Sequence, residues 1–156
     1  MRNILIIFIF ILQISCKRKE EKKADTFNKP HKEQTDPIKK SISNKWYGTY
    51  SFALNKESED WRDINDISIT ISKDSIIYLD KGFQLYHLYK LSAQEDNNNL
   101  KLTFEKALEN TDGWALKKNK DFGQISFDGK NYNWVCPYVD VSLMDGKKQI
   151  YILKKK

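Results

Sequence analysis

From Trp46 onward, apolar residues recur at every second position, and this periodicity limits the fold more than any other feature of the chain. A period of two places alternate side chains on opposite faces of an extended strand, so it marks half-buried β-structure. Trp46, Gly48, Tyr50, Phe52 and Leu54 share one face of a first strand. Ile67, Ile69 and Ile71 form a second, and Ser75–Asp80 a third. The longest row is Phe83, Leu85, His87, Tyr89 and Leu91, followed by Leu100, Leu102 and Phe104. Ile125 with Phe127, Tyr132 with Trp134, and the closing run Ile150–Leu153 bring the count to about eight strands.

The breaks between these rows are short. Asp128-Gly129 and Asp145-Gly146 read as two-residue hairpin turns, because Asp-Gly accepts the positive φ angles such turns need. Lys73-Asp74, Lys81-Gly82 and Asn97-Asn98-Asn99 serve the same purpose less specifically. Short connections force antiparallel neighbours, since parallel pairing needs a long crossover. The expected fold is all-β, a single antiparallel meander closed or partly closed into a barrel, with a β-sandwich as the alternative; both shapes manage the exposed edges. Glu57–Asn65 reads as a loop or helical turn around Trp61. In 106–121 a short helix could start, but Asp112-Gly113 interrupts it, which leaves a loop carrying Trp114.

The first 44 residues follow a different logic. Met1-Arg2-Asn3 is a short basic start, Ile4–Ile14 is apolar except for Gln13, and the small Ser15 precedes Cys16. This is the layout of a secretory signal over 1–15. A helix of that apolar length spans about 16 Å at 1.5 Å per residue, well short of the roughly 30 Å hydrocarbon core. Residues 17–44 are half charged and contain two prolines, so they cannot bury enough surface to offset their ordering entropy. They read as a disordered tether with about 30 Å between its ends. Its His31 is given no role.

Leu12-Gln13-Ile14-Ser15-Cys16 resembles the lipobox of bacterial lipoproteins, with Gln13 standing where an aliphatic residue is usual. The resemblance implies that Cys16 becomes the acylated first residue of the mature chain, with acyl chains anchoring it to the outer membrane. More than one chain is what makes such anchoring durable. Lys17-Arg18-Lys19-Glu20-Glu21, with a Lys followed by two acidic residues, resembles a surface-export signal, so the periplasmic face and the cell surface both stay open as addresses. Trp46-Tyr47-Gly48-Thr49-Tyr50 resembles the first strand of the lipocalin-like (calycin) barrels, where a Gly beside an aromatic lets the barrel base close. Anchor and barrel together are similar to the small lipoprotein inhibitors of c-type lysozyme, although the Ser-Gly-rich inhibitory loop and the disulfide pair are missing.

The net charge of +6 divides unevenly. The tether, 17–44, holds nine Lys/Arg against five Asp/Glu, whereas residues 45–156 hold 17 against 16. A nucleic-acid binder needs its basic residues on the folded domain, so no nucleic-acid partner is expected. With Cys16 acylated, Cys136 is left as a lone thiol and reads as a small core residue. His87, on the apolar face of its strand, reads as a core histidine. One histidine and one cysteine cannot supply the usual zinc site, and no metal or other cofactor is expected. Asp121-Phe122-Gly123 spells a kinase triplet without the loops that would accompany it. Asp60 and Asp63 are a carboxylate pair that could support hydrolysis, a third choice among functions. The leading expectation is a monomeric, non-enzymatic binding lipoprotein whose protein or glycan partner meets Trp61 and Trp114, since aromatics in polar loops make good anchors. The runner-up is a carrier of a small apolar ligand inside the barrel.

Overall fold

A computed structural model describes residues 42–109 and 113–156. The expected signal segment, Cys16 and the tether up to residue 41 lie outside the described residues, as does Asp112. Eight antiparallel strands form a closed barrel in chain order: β1 (Gly48–Leu54), β2 (Asn65–Ile71), β3 (Ile76–Gly82), β4 (Leu85–Asp96), β5 (Asn99–Ala107), β6 (Asp121–Phe127), β7 (Tyr132–Val135) and β8 (Tyr151–Lys155). Two short helices interrupt the meander, α1 (Trp114–Lys118) before β6 and α2 (Pro137–Leu143) before β8. The barrel, not the sandwich, is the architecture.

Closure depends on the approach of β1 to β8. Tyr50 pairs with Lys155 and Ser51 with Lys154, and the Lys156 amide donates to the Thr49 carbonyl at 2.9 Å. Gly48 makes this seam possible. At φ +138, a Cβ there would lie 2.9 Å from Lys155 Cε and 3.1 Å from the Lys156 carbonyl oxygen. Eight strands leave room inside for side chains, and aromatic rings occupy it. Tyr78, Tyr89, Phe122 and Tyr138 contact one another with centroids 4.5–5.9 Å apart. Trp134 and Tyr50 are also fully buried.

Several local expectations need correction. Trp46 does not extend β1; it sits in a 3-10 turn (Asn44–Trp46), 2% exposed, and plugs the barrel base against Tyr132. Phe83 belongs to the β3–β4 turn rather than to a strand, and Lys81-Gly82 stay within β3. In β6 the strict alternation fails: Phe122 and Ile125, three apart, are both buried, while Phe127 is exposed. Gly123 causes the phase change. It takes φ +68, where a Cβ would come within 1.7 Å of the Val135 carbonyl oxygen. Asp145-Gly146 is not a hairpin turn. It ends α2, the Gly146 amide donating to the Asp140 carbonyl at 2.7 Å. Helix α2 itself goes unseen in the sequence, because Tyr132, Trp134 and Cys136 prolong the alternation up to Pro137 and its two valines favour strands. Pro137 suits a first helical position, where its missing N–H costs nothing.

The up-and-down topology gives the barrel two unlike ends. At the base are the tight turns 72–75, 97–98 and 128–131, the chain terminus, and residues 42–46 where the described chain begins. At the mouth are the longer connections 55–64 and 136–150, the described residues 108–109 and 113–120 between β5 and β6, and Phe83-Gln84.

Candidate functional site

The mouth collects both tryptophans expected to meet a partner. In the β1–β2 connection, Asp60 caps a 3-10 turn (Trp61–Asp63) by accepting the Arg62 amide at 3.0 Å. The turn projects Trp61 outward, 67% exposed, with its ring edge-on to Phe83 at 5.3 Å. Phe83 reaches this position because Gln84 takes φ +55 in the turn, and it is itself 45% exposed. Trp114 is the first residue of α1, a helical and not a loop position, and is 55% exposed. Lys118, one turn on, brings its Nζ to 4.5 Å from the Trp114 ring centroid, a cation–π arrangement. Trp61 and Phe83 are thus a contacting pair, while Trp114 stands on a different element of the same end.

The carboxylate pair considered for hydrolysis is otherwise engaged. The Asp60 carboxylate takes the Arg62 guanidinium, which holds its pKa below the ordinary value. Asp63 accepts the Ser58 hydroxyl at 3.1 Å. A general acid has to retain its proton near neutrality, and the Arg62 contact works against that at Asp60.

Beneath the rim lies a buried polar cluster that the sequence does not announce. Asp80 and His87 are cross-strand partners on β3 and β4, both pointing inward. His87 Nδ1 lies 3.4 Å from Asp80 Oδ2 and 3.4 Å from the Tyr138 hydroxyl of α2. The Tyr138 hydroxyl in turn meets that of Tyr89 at 3.1 Å. Asp80 is fully buried, and its Oδ1 has no hydrogen-bond partner; the same holds for the Tyr78 hydroxyl. Each such orphan costs about 1–3 kcal/mol. Burial is the main force raising the Tyr78 and Tyr138 pKa values, so both phenols stay neutral. Gly113 rests on top: a Cβ there would lie 3.4 Å from His87 Nε2 and 3.6 Å from the Tyr89 hydroxyl. The residue before Trp114 therefore roofs the cluster.

Cys136 is fully buried, and desolvation raises its pKa well above the ordinary value, so the thiol keeps its proton. A thiolate is what nucleophilic chemistry requires. Among the described residues no group of three His, Cys, Asp or Glu is placed to hold a metal ion. Phe83, Asp80 and Tyr138 are the members of this region that the sequence reading missed. A signal existed only for Asp80, an acid on the inward phase of an apolar strand. No protein-family model, curated protein or solved structure matches this chain.

Proposed function

We propose that the protein is a lipid-anchored, non-enzymatic binding module of the outer membrane, held through Cys16 and presenting the barrel mouth to a protein or glycan partner. One observation carries the reading. Trp61, Phe83 and Trp114 stand exposed together at one end of the barrel, on connections that no other described element covers. Large amphipathic rings contribute contact area at small entropic cost, which suits them to recognition.

The rings that occupy the lumen, Tyr78, Tyr89, Phe122, Trp134 and Tyr138, count against the carrier alternative. They leave a ligand to compete with side-chain packing as dense as an organic crystal.

Two experiments test the proposal. Metabolic labelling with a fatty-acid analogue should tag the wild-type chain and not Cys16→Ser; an untagged wild type contradicts the anchor. Crosslinking and pull-down from intact cells should recover a partner with wild type and lose it with Trp61→Ala, Phe83→Ala and Trp114→Ala combined. Undiminished recovery contradicts the rim.

A further inference from the structure

The outer wall of the barrel carries a second surface, independent of the rim. Strands β8, β1, β2 and β3 lie side by side, and their outward residues form an open trough of about 710 Å³. Its floor is made of short side chains. Ser51 faces Ser68 across β1 and β2, with Ala53 opposite Asp66 in the next row. Longer side chains form the walls, with Ile152, Lys154 and Lys156 on the β8 side and Leu79 and Lys81 on the β3 side. From β8 to β3 is three strand spacings, about 14 Å.

The charge of this wall is set apart from the rest of the domain. Lys56, Lys81, Lys154 and Lys156 line the trough with Asp66 as the one acid, a local balance of +3 in a domain whose total is +1. All four lysines are exposed, and none makes an ion pair among the described residues. Elsewhere on the barrel wall, Lys90 is paired with Glu105 at 2.8 Å. Four unpaired ammonium groups around one channel repel each other, a cost that an anionic occupant removes.

We propose that this trough binds a linear anionic polysaccharide, one bearing carboxylates along an extended chain. Two features select that chemistry. The lysines complement negative groups spaced along the channel, and the serine floor offers hydroxyls that can bond to sugar hydroxyls. A single-stranded nucleic acid wants a succession of exposed aromatic faces on which bases can stack; the floor of Ser51, Ala53 and Ser68 has none, and Tyr86 beside the wall lies under the Lys81 ammonium. The basic tether does not suit the trough either, since like charges oppose its docking.

The test uses the full chain in detergent and a galacturonate oligomer as probe, with a malto-oligosaccharide of equal length as the neutral control. Three variants are compared by calorimetry, each checked for unchanged thermal unfolding. Lys81→Glu with Lys154→Glu reverses charge on both walls. Ser51→Tyr with Ser68→Tyr fills the floor at constant charge. Lys101→Glu with Lys130→Glu changes the same net charge elsewhere on the barrel. The proposal predicts that the uronate oligomer outbinds the neutral one, and that the wall and floor variants each weaken it about tenfold or more, some 1.4 kcal/mol. The distant variant should weaken it less than twofold. Equal losses for the near and distant variants would reduce the effect to general charge, and an unchanged floor variant would place binding outside the trough. Either result overturns the proposal. So does tighter binding, through the same residues, of polyglutamate, of single-stranded RNA or of vesicles rich in phosphatidylglycerol.

Discussion

The two ends of the barrel share one set of strands and are built to opposite specifications. At the base, carboxylates find partners and a tryptophan is hidden, although its indole Nε1 has no hydrogen-bond partner. Glu95 accepts the Ser43 amide at 2.8 Å and the Ser43 hydroxyl at 2.9 Å, and pairs with Lys45 at 2.9 Å, clamping the incoming chain over Trp46. Asp128 accepts two backbone amides in the β6–β7 turn, at 2.7 and 2.9 Å. At the mouth, two tryptophans stand in solvent and a buried carboxylate oxygen goes unbonded. Tight turns and carboxylates bonded to backbone amides hold the base together. The mouth spends its longer connections on exposed rings, as loops carrying recognition commonly do.

The three tryptophans separate the two ends most sharply. Trp46→Ala should destabilise the domain by about 3–5 kcal/mol, the usual loss for a fully buried ring, read as a lower denaturant midpoint. Trp61→Ala and Trp114→Ala should each stay within about 0.5 kcal/mol of wild type. Similar losses at all three positions would erase the distinction between the ends. Next in size is Gly48→Ala at the closing seam. Its positive φ and the crowding against Lys155 and the Lys156 carbonyl should cost about 1–3 kcal/mol, measured by the same unfolding curves.

A smaller effect concerns the orphaned groups under the rim. Tyr78→Phe removes a buried hydroxyl that has no partner, so stability should hold or rise by up to about 1 kcal/mol. Tyr138→Phe breaks the contacts to Tyr89 and His87 and should lower stability instead. Equal losses from the two would show that the Tyr78 hydroxyl is bonded after all.

The smallest effect is the acid response of the base. The Ser43 amide, then the Lys45 ammonium, hold the Glu95 pKa down from its ordinary 4.5 to about 2. A depressed carboxylate pKa contributes stability that is present above 4.5 and lost as pH falls through 2. The protection of the Ser43 amide, its exchange rate compared with that of an unstructured amide at the same pH, should therefore fall across that window in wild type. In Glu95→Gln the protection should be low at every pH.

How much of this was legible in the sequence follows from the range of each signal. Alternation is local, so all eight strands could be counted, and Lys73-Asp74 and Asn97-Asn98 mark real turns. What failed was non-local. The phase of β6 is set by a Val135 carbonyl pressing on Gly123, a contact between different strands. Phe83 reads as a strand residue because nothing in Phe83-Gln84 announces a positive φ at glutamine. Residues 42–44, read as the end of the tether, are fixed to the barrel by Glu95, 52 positions beyond Ser43. At the mouth, Trp61 and Trp114 stood out because aromatics are conspicuous in polar stretches. Asp80, His87 and Tyr138 did not stand out together, since His87 and Tyr138 are 51 residues apart and only barrel closure joins them.

The division of labour between the ends is tested most directly by a photoactivatable crosslinking residue placed singly at Trp61, at Trp114 or at Lys130, the last on a base turn. After illumination of intact cells, the account predicts a discrete adduct from positions 61 and 114 and none from 130. An adduct from position 130 alone, or equal adducts from all three, would contradict it.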